Sequence, residues 1–300
     1  MEAWILLSVM AAFFQTLRFM LQKMLSMGRL SPLGATMARF AFAAPFAVVL
    51  ATGTCLWTGA RVADPGMLFW LYVLAGGLAQ ILATWFVVLL FAERNFAVGI
   101  TFKKTEVVQT AIVGLLVLGD RISLAGLVAI LIGLVGVLVL SEAPEGRGGL
   151  WRRLSSRAAV LGLASGAFFA VSAVAYRGAT LQVASEDAFV RACLTLAAVT
   201  LTQSVGMAVY LRWREPGELG NIWRARATAV WMGLASLAGS VGWFTAFALQ
   251  NAAYVFAVGQ VEVVFSIIAS VLFFRERITR REYFGIALLT ASILLLVLLS

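Results

Sequence analysis

The stretch TFKKTEVVQT (101–110) gathers Lys103, Lys104 and Glu106 inside an otherwise apolar run. Each ionisable side chain in such a run costs roughly 2.5–3.5 kcal/mol at the centre of a membrane helix, and normally faces a bundle interior or a water-filled cavity. Lys103 and Glu106 stand three residues apart and can pair on one helix face. Lys104 is turned about 100° away from Lys103, so it needs a partner on another element, or a substrate. A second carboxylate, Glu262, lies in the equally apolar VEVVFS. A partly desolvated carboxylate titrates near neutral pH and can alternate between proton and substrate. Glu106 and Glu262 are therefore candidate coupling groups, with protons as the coupling ion. A fixed structural charge pair is the competing reading.

Three more cations, Arg18, Arg39 and Arg191, also fall within apolar runs. With the two lysines they outnumber the two glutamates, and a surplus of interior cations suits a ligand bearing a carboxylate or phosphate. Arginine would hold such a group bidentately and lysine as a point charge. Against this, long cationic side chains near helix ends snorkel toward the interface, and Arg191 sits only four to five residues into its expected helix. Gln15, Arg18 and Gln22 recur at helical spacing, and Gln80, Gln203 and Gln260 are buried amides that need partners. Trp85, Trp243 and Tyr254 form a candidate apolar wall, with plain packing as the alternative. The candidate substrate contacts are thus Lys103, Lys104, Arg18, Arg39, Arg191, Gln15, Gln80, Gln260, Trp85, Trp243 and Tyr254.

The elements that position these residues follow from composition. The chain of 300 residues is 62% hydrophobic and 12% charged, with a mean hydropathy of +0.97. Ten apolar runs, at 3–24, 31–52, 67–92, 97–118, 123–141, 157–177, 187–211, 227–250, 252–274 and 281–299, are each about 17–25 residues long, the length that crosses the hydrocarbon. Turn chemistry separates them (MGRLSP, GARVADPG, GDRIS, EAPEGRGG, REPGELG). The reading is an all-α integral membrane protein. Period-two alternation is absent, which argues against a barrel. Trp4, Trp57, Trp151, Trp213 and Trp223 fall near span ends and read as an interfacial belt. The first run lacks a basic flank and cleavage site and reads as a membrane helix rather than a signal peptide.

The chain repeats itself. AERNFAVGITFKKTEVVQT from Ala92 aligns without gaps on ALQNAAYVFAVGQVEVVFS from Ala248. This pairs Asn95 with Asn251, Glu106 with Glu262, and Asp120-Arg121 with Glu276-Arg277. AFF at 12–14 matches AFF at 167–169, and Arg39 aligns with Arg191, both with gaps. Each half holds five spans, so the second enters the membrane upside down, the inverted-repeat design of many secondary transporters. The expected units are 1–141, a basic connecting loop at 142–156, and 157–300. Asn95 and Asn251 read as helix caps.

The repeated pattern, TEVVQTAIVGLLVLGDRISLAGLVAILIGLVGVLVL and VEVVFSIIASVLFFRERITRREYFGIALLTASILLLVLL, resembles the EamA-type members of the drug/metabolite transporter superfamily. Two departures stand out. The proline that often follows the family's glutamate is Val107 here and Val263 in the second copy, and the turn glycine is kept as Gly119 but replaced by Arg275. Without those prolines, the fourth and ninth helices are expected to be straighter than usual.

The resemblance and the interior charges together imply a secondary active transporter moving a small organic metabolite with an acidic group by alternating access. Export of an amino-acid-like compound is the reading the resemblance suggests. Export of cationic drugs or metabolites is the alternative within the class. A passive channel or a membrane scaffold is the alternative outside it. An enzyme is not expected: there is no histidine, no nucleophile motif, and no phosphate-binding loop. No metal, cofactor or nucleic-acid signature is present. The partners expected are the lipid bilayer and the small molecule. Cys55 and Cys193 read as core thiols rather than a disulfide. Of the 23 lysines and arginines, most sit in the odd-numbered connections. That places these connections in the cytoplasm and both termini outside a bacterial inner membrane, opposite to the orientation the resemblance implies.

Overall fold

The computed structural model describes residues 2–28, 30–59, 65–91, 102–140, 157–265, 268 and 280–299. Helices begin and end where the local chemistry requires. α1 is Ala3–Gly28 and α2 is Pro32–Thr58. α2 opens on Ser31, whose hydroxyl accepts from the Gly34 N–H, and it closes on Gly59 at φ 65°, a left-handed position that favours glycine. α3 is Gly66–Phe91 and α4 is Glu106–Leu118, the latter ending on Gly119 at φ 69°. α5 (Leu124–Leu140) completes the first half.

The second half comprises α6 (Arg157–Gln182), α7 (Ala188–Arg214), the short α8 (Glu218–Arg224), α9 (Arg226–Leu249), α10 (Ala252–Gly259) and α11 (Arg280–Leu299). Asp187 caps α7 and Asn251 caps α10, the latter as expected; Asn95 lies outside the described residues. Among the described residues, six helices are long and apolar enough to cross a membrane: α1, α2, α3, α6, α7 and α9. Shorter apolar helical segments occupy Glu106–Leu118, Leu124–Val139, Ala252–Phe265 (interrupted by a turn at 260–261) and Tyr283–Leu296. The expected start of the fourth span (97–101) and most of the end of the ninth lie outside the described residues.

The interior is built on small residues and the exterior on large apolar ones. Ala11, Ala12, Ala83, Ala129, Ala159, Ala246 and Ala253 are fully buried, whereas Leu56, Leu116, Leu124 and Leu298 are exposed. This is the distribution expected when the surrounding solvent is hydrocarbon and close helix approach supplies the attraction. The main interfaces obey the sequence repeat. α3 lies along α6, and α1 along α9, while α2 meets α7 and α5 meets α11. Exchanging the halves converts the first contact into the second and each of the others into itself.

Several expectations are corrected here. Trp4 is 3% exposed, in the core rather than an interfacial belt, because its ring meets the inner faces of the bundle near the start of α1. Trp57, Trp213 and Trp223 are exposed near helix ends, as the belt reading requires. Helix α8 was not anticipated; seven residues carry too little periodicity to read. The sixth span, expected to end at Arg177, continues as α6 to Gln182. Both cysteines are free thiols.

The α5–α11 contact depends on glycine. A methyl group at Gly136 would stand 2.9 Å from the Leu289 backbone nitrogen and 3.0 Å from the Gly285 carbonyl oxygen. Backbone cannot yield cheaply, so Gly136→Ala should destabilise the protein by about 1–3 kcal/mol, read as a lower thermal midpoint in detergent. Gly206→Ala, with open space around the new methyl, should leave the midpoint unchanged or raised.

Candidate functional site

The chain is broken just before each of the repeated glutamates. Phe102 and Lys103 are helical, Lys104 and Thr105 form a turn, and α4 starts at Glu106. In the second half α10 stops at Gly259, Gln260 and Val261 form the turn, and helix resumes at Glu262. Despite the absence of the proline neither helix is continuous, and the sequence positions of the two breaks correspond. Their physical basis is a change of hydrogen-bond step rather than proline. Thr105 donates to the Phe102 carbonyl at 3.2 Å, Val261 to Val258 at 3.1 Å and Val263 to Gln260 at 3.0 Å, all three residues back instead of four. The two breaks also meet: the Gln260 side-chain amide donates to the Lys104 carbonyl at 3.3 Å.

Each glutamate receives one lysine. Lys103 Nζ lies 3.0 Å from Glu106, the same-face pair that the spacing suggests. Lys104 crosses to the other half and pairs with Glu262, which supplies the partner it lacked on its own helix. Gln15 of α1 donates to the other Glu262 oxygen at 2.6 Å and accepts from the Trp243 indole N–H at 3.2 Å. The lysines are 2% and 3% exposed. Lys103 also lies over the Phe169 ring, 4.8 Å from its centre.

Packing explains why the repeat diverges here. A side chain at Gly259, the position equivalent to Lys103, would meet the Trp243 ring at 2.4 Å. A side chain at Gly166 of α6 would meet the Lys103 carbonyl at 3.0 Å. The indole fills in one half the place that the lysine occupies in the other.

Arg18 and Arg39 have no such compensation. Both are buried, and neither pairs with a carboxylate among the described residues. Arg18 Nη1 donates to Gln22 Oε1 at 2.8 Å, and its Nη2 has no hydrogen-bond partner among the described residues. Arg39 donates through Nε to Ser236 at 2.9 Å and through Nη1 to Thr84 at 2.8 Å. The two guanidiniums are within electrostatic range of each other, and Tyr176 is within range of Arg39. Tyr176 donates to Gln80 at 3.0 Å, and Gln203 donates to Gln80 at 3.2 Å and to the Gly77 carbonyl at 3.0 Å. Gln80, Gln203 and Tyr176 thus form one neutral cluster.

The other candidates lie elsewhere. Arg191 donates to the Ala248 carbonyl at 3.3 Å. Arg177 of α6 donates to the Phe247 and Gln250 carbonyls at 2.8 Å each. Both cations thus sit at the C-terminal end of α9, where a helix dipole favours positive charge. Arg177 also pairs with Asp120 at 2.8 Å, tying the halves together. Tyr254 contacts Ser123 at the start of α5, Trp243 sits beside Gln15, and Trp85 lines an apolar cleft between α3 and α7. The three aromatics do not share a wall.

The EamA-like transporter family matches residues 2–142 and again 156–298. The chain belongs to this family. A crystal structure described only as that of a protein shares its fold, with a TM-score of 0.66 and 16% identity, over 97% of this chain and 99% of its own. No curated protein matches. In this EamA-like transporter the sequence located both glutamates and all four central cations, but it missed Thr84, Ser236 and Tyr176. Threonines and serines in apolar helices usually bond their own carbonyls, as Thr16 and Thr110 do here, so those that turn toward an arginine carry no separate signal.

Removing one partner of a buried pair leaves an uncompensated charge. Lys104→Met alone should cost about 3–5 kcal/mol, whereas Lys104→Met with Glu262→Gln should recover most of that. Thermal unfolding of the purified variants in detergent checks the cycle.

Proposed function

We propose that this EamA-like protein is a secondary transporter of a small organic anion. One observation carries the reading: Arg18 and Arg39 are buried without a carboxylate partner among the described residues, while both lysines have one. A cationic substrate would have to enter a site whose uncompensated charge is already positive. An organic carboxylate would supply the missing acceptors, to Arg18 Nη2 first, and Thr84, Ser236 and Gln22 already orient the guanidiniums. Amino-acid-like carboxylates are the first compounds to try, with export as the direction. Lys103 and Lys104, the sequence's foremost candidates, take a supporting role in this reading.

Alternating access follows from the repeat. The two halves are read as inverted copies of five spans, 1–141 and 157–300, rocking about a site near the midplane. Glu262 is the proposed coupling group, since it joins Lys104 of one break to Gln15 of α1; protonation would release both. The excess of arginine in the odd connections supports a placement in the inner membrane with both termini outside.

Three outcomes are expected. Proteoliposomes should accumulate organic carboxylates and not organic cations; movement of cations alone would overturn the reading. Carboxylate flux should respond to an imposed pH gradient in the wild type and lose that response in Glu262→Gln. A reporter active only in the cytoplasm, fused after Ser300, should stay inactive.

A further inference from the structure

The charged centre leaves unexplained a cleft of about 430 Å³ between α3 and α7, a size within the usual range for a bound organic molecule. Two glycines hollow it out. Gly77 lines it from α3 and Gly206 from α7, and a methyl group added at Gly206 would meet nothing within 4 Å. Leu74, Leu78 and Tyr210 form its mouth, and all three remain exposed on the outer surface. Val205 and Val209 continue that surface along α7 as exposed apolar side chains. Since α3 and α7 are long and apolar enough to span a membrane, the mouth opens onto hydrocarbon.

The chemistry of the wall restricts the occupant. Among the described residues no charged side chain lines the cleft, so these walls offer nothing to the anionic head of the proposed substrate. The Thr202 hydroxyl and the Gln203 amide nitrogen are engaged within the protein, while the buried Gln203 Oε1 has no hydrogen-bond partner among the described residues. Thr202 gives its hydroxyl to the Ala198 and Val199 carbonyls of its own helix. Gln203 directs its amide inward to Gly77, Gln80 and Tyr176, and its Cγ is what a side chain at Gly77 would meet, at 3.4 Å. What remains is a methylene-lined slot facing the bilayer.

We propose that this cleft is a binding site for one acyl chain of a membrane phospholipid, wedged between α3 and α7. Uncharged hydrocarbon matches the wall, and the bilayer presents it at the mouth at all times. The occupied cleft would set the spacing of α3 and α7, directly outside the Gln80–Gln203–Tyr176 cluster that stands beside Arg39. The proposal is independent of the anion reading.

Gly206→Leu is chosen to fill the slot, since a Cβ at this position meets nothing within 4 Å, and an unchanged thermal midpoint verifies the fold; Gly206→Val is the smaller plug should leucine lower it. Native mass spectrometry after reconstitution with dioleoyl phosphatidylcholine should show one phospholipid retained by the wild type. In the variant the chain loses its packing contacts with the slot walls, and retention should fall. In nanodiscs of brominated phosphatidylcholine, tryptophan emission should be quenched less in Gly206→Leu than in the wild type, because Trp85 loses its contact with the chain. Equal retention and equal quenching in the two proteins would overturn the proposal. So would displacement of the bound phospholipid by a short-chain organic carboxylate, which would assign the cleft to the transported substrate instead.

Discussion

A charge buried among membrane helices must be neutralised within the protein or held in reserve for a ligand, and the centre of this bundle is arranged by that constraint. Lys103 with Glu106 and Lys104 with Glu262 form two pairs, one within a half and one between halves. Attraction between such groups is strong where water is scarce, but so is the cost of removing them from water. The pairs therefore fix geometry more than they add stability: each glutamate sits at the first turn of a resumed helix, and its lysine holds that turn in place. After these pairings the positive surplus rests on Arg18 and Arg39, whose acceptors are neutral amide and hydroxyl groups.

The two helix breaks convert a sequence repeat into a joint. Each break changes the hydrogen-bond step just before its glutamate, and the Gln260 amide reaches the Lys104 carbonyl, so equivalent positions of the two halves touch. The halves are nevertheless unlike where chemistry is at stake. Lys103 occupies a place that Trp243 fills in the other half, and only glycine at 259 leaves room for the indole. Duplication supplied a common frame, and replacement at a few positions made one side charged and the other aromatic.

Much of this was legible from residue types. Apolar run lengths located the helices, and the ungapped alignment of Glu106 with Glu262 located the repeat. The polarity of Lys104 implied a partner on another helix. The breaks were not legible, because the proline that would have signalled them is Val107 in one half and Val263 in the other. Nor was the division of labour among the cations. Sequence counts charges but does not pair them, and pairing reversed the emphasis from the lysines to the arginines. The sixth span is expected to end at Arg177 because the run after it, GATLQ, is only weakly apolar, yet the helix continues to Gln182, and Arg177 reaches Asp120 and the end of α9. Trp4 stood near a span end, where tryptophan is usually interfacial, and only the packing of α1 revealed it as core.

The central claim is that arginines, rather than lysines, hold the free positive charge. It is tested most directly by ligand-induced thermal stabilisation across a panel of organic carboxylates, comparing Arg39→Gln with the charge-neutral double replacement Lys103→Met with Glu106→Gln. A stabilisation that persists in the double variant and disappears in Arg39→Gln is the result predicted. Stabilisation that survives in Arg39→Gln and is lost in the double variant would contradict the account and return the substrate to the lysines.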